Sequence, residues 1–442
     1  MMDIRLYTQM LEIDSTSGRE RGLADYLAES LLTENNRVER FDVESMAGDV
    51  PQGCGLPQNL LFSWGTPKVF FCTHLDTVPP YIPPTFSDED TPLSGDDFVA
   101  DNSVGNLSGD ALRYERRQGT LVSGRGTADA KGQIFAMWEA CKALEAKGYT
   151  DFGLLLLAGE ETGSFGAKAF NAMMQGQSES PEDSPIKQAE PSTQNEAAAS
   201  DLWVIVGEPT DNCMATAAKG TKSFEVTFKG KAFHSGYSEY GESAIMYFND
   251  FMNALRSIRF PYDDILGETT FNVGKLHSDN PQNILSPELT CRVYFRTTFE
   301  SDQMVCNVMK NMAGEDARLR FGRPKVQDGS DIVAKDVAPW QAAMSVKAFG
   351  GDSPTRYETF EGFEVKPVSF GSDAPQLKCF PHKILCGPGS ILVAHRPDEH
   401  ILLSDIETAI GNYIRIFESI QAQDPPTCTT FPTAQDITND KI

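Results

Sequence analysis

The chain has little positive charge to set against its acid. Its 442 residues hold 38 Lys and Arg against 63 Asp and Glu, a formal net charge of −25. A surface so negative repels a phosphate backbone, so nucleic acid is not expected as a partner. Also missing is any apolar run near the ~20 residues needed to cross a bilayer, so no membrane partner is expected either. The opening MMDIRLYTQM is polar and periodic, without the apolar core of a signal peptide. Cysteine is present, but its nine copies are an odd, scattered number with no CxxC pair. That usage fits reduced thiols better than a disulfide framework, and cytoplasmic localisation follows as the expectation. Several catalytic signatures are absent too: no GxSxG elbow, no HExxH helix and no GxxxxGK[ST] loop. Gly124-Arg125-Gly126 opens like a dinucleotide loop but lacks the third glycine. Cys72 lies inside an apolar run and reads as core rather than as a nucleophile.

What is present centres on residues 154–163, LLLLAGEETG. Four leucines and Ala158 form a short unbroken apolar run, the pattern of a strand buried on both faces of a parallel sheet. The run stops at Gly159 and delivers Glu160 and Glu161. Successive side chains on an extended backbone point to opposite sides, so the two carboxylates can serve different tasks. A Glu-Glu pair alone is most often a solvated strand end. The same pattern, an apolar run followed by a metal-type residue, recurs at His74, Asp129, Glu208 and His395.

At this length two domains are expected. Ser17 and Glu20 have the spacing of a capping box, with Leu23, Leu27 and Leu31 at helical period behind them. Residues 83–110 read as an acidic surface loop. Residues 175–200, rich in Ser, Glu, Gln and Pro, read as a mobile insertion unable to bury enough to offset its ordering entropy. From Lys219 onward period-two pieces surround a helix-like stretch at 243–258, which predicts a smaller α+β unit inserted in an α/β unit. The fold class is therefore α/β: a larger domain (1–218 and 327–421) with a mostly parallel sheet flanked by helices, and an inserted smaller α+β domain at 219–326. A flexible tail at 422–442 follows. Ser404 and Glu407 suggest a second capping box, before an apolar stripe of Leu403, Ile406, Ile410, Tyr413 and Phe417.

His74, Asp129, Glu161, Glu208 and His395 all follow apolar runs, and loops at the carboxyl ends of strands in an open α/β sheet converge on the binding crevice. Two imidazoles and three carboxylates form a mixed nitrogen and oxygen donor set suited to zinc, with cobalt or manganese as substitutes. Three clustered carboxylates repel one another unless cations balance them. Two divalent ions sharing a bridging aspartate would do so. Singly, each residue has a plainer reading: a hydrogen-bonded structural histidine, or a turn aspartate. Asp76, two residues beyond His74 and so on the same side of a continuing strand, could orient its imidazole. Glu160 remains free as general acid/base.

In this order, His74-Leu75-Asp76-Thr77-Val78-Pro79, the Gly124–Gly132 turn, Gly159-Glu160-Glu161-Thr162-Gly163, Gly207-Glu208-Pro209-Thr210 and the His395 segment resemble the dinuclear zinc amidohydrolases. That family includes acetylornithine deacetylase, succinyl-diaminopimelate desuccinylase, aminoacylase and related carboxypeptidases, and the resemblance spans nearly the whole chain. It implies that Asp129 bridges the metals, with His74 and Glu208 on one and Glu161 and His395 on the other. It also implies that the larger domain is catalytic and that 219–326 is a lid through which the chain homodimerises, with His234 reaching an active site to stabilise the oxyanion. Asn283 and Arg296 match the family's substrate contacts, and Gly371-Ser372-Asp373 resembles its substrate-binding turn. A guanidinium suits a substrate carboxylate. Glutamate at 208 resembles the deacylase branch. The expected function is thus metal-dependent hydrolysis of an N-acyl amino acid, acetylornithine deacetylase-like, by a metal-bridged hydroxide. A dipeptidase or carboxypeptidase acting on short peptides is the alternative, and a non-catalytic binder of amino-acid derivatives is a third reading that Glu160 argues against.

Overall fold

The computed structural model describes residues 2–87, 120–176, 201–313 and 338–422. Most of the acidic loop (from 88), of the insertion (from 177) and of the tail (from 423) lies outside them. Thr85–Ser87, at the start of the expected loop, is instead a short strand paired with Leu121–Ser123.

The leucine run forms the strand Asp151–Leu157 inside a six-stranded sheet. The sheet's order is Arg37–Asp42, Gln58–Gly65, Asp151–Leu157, Val69–His74, Trp203–Val206 and His382–Leu385. The last four of these run parallel, and Gln58–Gly65 joins them antiparallel. Alternation assigns Leu154 and Leu156 to one face and Leu155 and Leu157 to the other, and both faces are buried. On the first face lie the helices Ile4–Glu12, Arg21–Ser30, Lys131–Ala146 and Leu403–Gln421. On the second, Phe170 of the helix Phe165–Met174 stacks on Phe380.

The second unit is an antiparallel sheet ordered Thr270–His277, Glu288–Thr297, Gly220–Lys229 and Met344–Ala348. The helices Ala244–Ser257 and Asp302–Met312 bury Phe251, Leu255, Val305 and Met309 against its inner face of Phe224, Val226, Cys291 and Val293. Its last strand lies beyond the boundary at 326 drawn from the sequence. Met344–Ala348 belongs with the small sheet because it pairs with Gly220–Lys229, a contact with no local signature.

Neither expected capping box forms. The first helix of that pair begins at Arg21, and Glu20 is fully buried with no side-chain cap bond. Ser17 Oγ instead donates to Asp76 at 2.9 Å. The second begins at Leu403, directly from the strand His400–Leu402, so Ser404 sits within the first turn rather than ahead of it.

Phe417 fastens the C-terminal helix to the sheet, its ring lying 5.0 Å from Tyr149, 5.7 Å from Phe152 and 6.3 Å from Phe71. Phe417→Ala should therefore lower the urea-unfolding free energy by about 3–5 kcal/mol, the cost of a buried aromatic and its cavity. A loss below about 1 kcal/mol would mean the helix is held elsewhere.

Candidate metal centre

Each site segment leaves a strand's carboxyl end. His74 closes Val69–His74, Glu160 and Glu161 follow Asp151–Leu157, and Glu208 follows Trp203–Val206. Asp129 comes from the turn after Leu121–Ser123, in a separate three-stranded sheet with His400–Leu402. His395 has a left-handed backbone, φ 64°, an uncommon conformation for a side-chain-bearing residue and one that clusters at functional sites.

These segments meet. His74, Asp129 and Glu161 offer donor atoms within 4.8 Å of one another, a group that could hold a metal ion. His74 Nε2 lies 2.9 Å from Asp129 Oδ1, whereas His395 Nε2 lies 3.1 Å from Asp129 Oδ2 and 2.9 Å from Glu161 Oε1. The two oxygens of Asp129 thus face two different imidazoles, as a carboxylate shared between two ions requires. The donor set fits the metals that the sequence implies.

The side chains around this group repel as carboxylates. Glu208 is buried, and burial first, then Asp129, Asp373 and Glu161, push its carboxyl well above the usual range against the pull of His74. Glu160 is raised for the same reasons, by burial and then by Glu208, Asp373 and Glu161, with His74 opposing. Burial lowers the His74 imidazole, but Asp129 and Asp76 outweigh it and hold the ring charged well above its ordinary range. Hydrogen bonds to Asp129 and Glu161 raise His395 to about 10.

Asp76 sits behind His74, though not as strand alternation suggested, because the strand ends at His74 itself. His74 Nδ1 lies 2.9 Å from the Asp76 carbonyl and 3.5 Å from its Oδ1. The carboxylate instead accepts the backbone N–H groups of Glu160 at 3.0 Å and Glu161 at 3.2 Å. The divergence of the two glutamates likewise comes from a turn rather than from a continuing strand. That turn requires Gly159, whose φ is 69° and where a Cβ would fall 2.5 Å from Met46 Sδ.

The remaining candidates divide. A Cβ on Gly371 would lie 3.7 Å from Arg296 Nη1, so these two expected substrate contacts adjoin each other. Ser372 is buried, its Oγ 3.4 Å from the Tyr357 hydroxyl. His234 is exposed and accepts from the Gly236 N–H at 3.1 Å, with no hydrogen bond to the metal group among the described residues. Asn283 neighbours it, its carbonyl accepting from Ser235 N–H at 2.9 Å.

Three acids near the centre were assigned no ligand or proton-transfer role from the sequence. Asp373 is buried, and burial raises it to about 7. Glu20, read as a cap, is raised to about 8 by burial and by Asp76. Glu399 accepts the backbone N–H of Asp129 at 3.2 Å. The cue for Asp373 was its place in the Gly371-Ser372-Asp373 turn, and for Glu399 its place four residues after His395; Glu20 had only a misleading local one.

Fold and donor set together define a metal-dependent hydrolase. Residues 70–419 match the profile of Peptidase family M20/M25/M40, and the chain belongs to that family. A probable carboxypeptidase of Aspergillus niger is 27% identical over 433 residues, covering 94% of this chain and 89% of that one. Among solved structures, a tripeptidase of Staphylococcus aureus aligns with a TM-score of 0.64 at 16% identity, covering 95% of this chain and 98% of its own. A Bacillus subtilis protein described as a dinuclear metal binding peptidase of the M20 family aligns at 0.54 and 10% identity, covering 95% and 98%. These two likenesses concern the fold.

Linkage gives a pH test. Glu20 and Asp373 have folded-state values of about 8 and about 7, above their ordinary 4.5 and 3.8. The folded metal-free chain therefore binds more protons than the unfolded one across that interval, and their contribution is lost as pH rises through the folded values. The urea midpoint of metal-free protein should fall as pH is raised from 4.5 to about 8, and added divalent ion should restore it. A flat or rising midpoint would contradict this electrostatic picture.

Proposed function

We propose that this chain is a two-metal hydrolase that cleaves the amide joining an acyl or peptidyl group to an amino acid with a free carboxylate. The observation that carries the reading is the position of Asp129, with one oxygen toward His74 and the other toward His395. In this reading His74 and Glu208 hold one ion, Glu161 and His395 hold the other, and Asp129 serves both. Zinc suits the donors best, with cobalt or manganese able to substitute. The bound pair would supply Lewis acidity and the positive charge that makes water a nucleophile near neutral pH.

The chain's own groups do the rest. Glu160, raised by burial and by its acidic neighbours, takes the proton from the attacking water and delivers it to the departing nitrogen. Asp76 fixes the turn that carries it. Arg296 beside Gly371 receives the substrate carboxylate, with Ser372 as a further contact, and Asn283, which neighbours His234, contributes with it from a second copy. N-acyl amino acids and short peptides both meet these requirements. The names of the curated relatives favour the peptidyl group, which puts carboxypeptidase ahead of the deacylase expected from Glu208.

His234 is assigned to the oxyanion of a second copy's site, through a homodimer formed by the lid. Exposed Tyr237, Tyr240, Ile245 and Met246 near it support that contact. No helix among the described residues is long and apolar enough to cross a membrane, and the scattered thiols support a cytoplasmic setting.

Zinc-loaded protein offered acetyl-, succinyl- and formyl-amino acids beside dipeptides and longer peptides should release the carboxyl-terminal amino acid. Equal cleavage of substrates with an amidated carboxyl end would refute the assignment of Arg296. Glu160→Gln should lower kcat by about 10²–10⁴ with metal content unchanged, whereas Glu161→Gln should lose metal. Undiminished turnover in Glu160→Gln would remove it from the mechanism.

A further inference from the structure

Among the described residues, one Arg–carboxylate ion pair has both side chains almost wholly buried: Arg125 and Glu399, 2% and 0% exposed, with Nη1 2.6 Å from Oε2. For stability alone such a pair is a poor device, since desolvating two charges commonly offsets their attraction. Its other contacts indicate a different use. Glu399 Oε1 accepts the backbone N–H of Ala128 at 3.1 Å and of Asp129 at 3.2 Å. The Glu399 carbonyl accepts Gly124 N–H at 2.9 Å. Arg125 Nε donates to the Pro80 carbonyl at 3.3 Å, and Arg125 N–H to the Ile82 carbonyl at 3.0 Å.

Three segments that bear metal-type residues thus close on one pair. The first runs on from His74 to Pro80 and Ile82, the second is the Asp129 turn, and the third carries both His395 and Glu399. A carboxylate placed against the main chain of Asp129 adds negative charge where charge is already excessive, and the Arg125 guanidinium offsets it. What the arrangement provides is a fixed main chain at Ala128–Asp129, and with it a fixed direction for the Asp129 carboxylate between two imidazoles.

We propose that Arg125 and Glu399 are positioning residues that set the metal affinity of the centre by orienting Asp129. The proposal rests on the two-metal reading above. It treats the pair as a clasp between ligand segments, acting on the ions only through Asp129 and His395.

The test uses full-length protein stripped of metal, with zinc affinity read by competition against a chromophoric chelator and geometry read from the visible spectrum of the cobalt-loaded form. Glu399→Leu, which removes the acceptor for the Ala128 and Asp129 N–H groups, should weaken zinc binding about 10–100-fold, the usual effect of losing a group that orients a ligand, and should alter the cobalt spectrum. Because the single variant leaves Arg125 buried without its counter-ion, the double variant Arg125→Met/Glu399→Leu is measured beside it. With no buried charge unpaired it should fold, and it should still bind zinc about 10–100-fold more weakly than the parent. A folded double variant with parental zinc affinity and an unchanged cobalt spectrum would make the pair merely structural and overturn the proposal. Parent protein that takes up no zinc, cobalt or manganese would instead remove the two-metal reading, and the proposal with it.

Discussion

Carboxylates crowd one another in the crevice, and the other features of the centre follow from how that repulsion is tolerated. Asp129, Glu160, Glu161, Glu208 and Asp373 influence each other's protonation across a largely buried space that holds two imidazoles. At close range and low polarity such repulsion is severe, and with burial it raises Glu160, Glu161, Glu208 and Asp373 above the ordinary carboxylate range. Both imidazoles respond in the opposite sense and are held charged beside Asp129. An arrangement that strains for positive charge is prepared for divalent cations, in keeping with a metallopeptidase family.

The sheet makes the crowding affordable. Its parallel strands are buried on both faces, so loops at their carboxyl ends are anchored in the core and hold like charges together. Asp76 then ties two loops to each other by taking the N–H groups of both glutamates while facing His74. Glu161 is drawn to His395, and Glu160 makes no hydrogen bond to that imidazole, so two adjacent residues of one chemical type have separate surroundings. That separation is what general acid–base chemistry beside a metal needs.

Much of this was legible because it is local. The run ending at Leu157 reported a doubly buried strand, and the residues just past such runs reported the ends where a crevice forms. Period-two alternation at 224–228 disclosed the second sheet. What stayed hidden depends on partners distant in sequence. Glu399 meets Arg125 across 274 positions, and Glu20 looks like a cap until its burial behind Asp76 is seen. The strand Met344–Ala348 is too short to announce its sheet, which it joins only through Gly220–Lys229. Alternation was also carried past the strand ends at His74 and Leu157, where turns take over before Asp76 and Glu160.

The claim on which the account depends is that Asp129 is shared between two ions. Anomalous diffraction from zinc-soaked crystals, recorded on both sides of the zinc absorption edge, addresses it directly. Two peaks per chain are predicted about 3.5–4 Å apart, one beside His74 and Glu208, the other beside Glu161 and His395, with an Asp129 oxygen on each. A single peak, or zinc bound away from Asp129 in fully loaded protein, would contradict it.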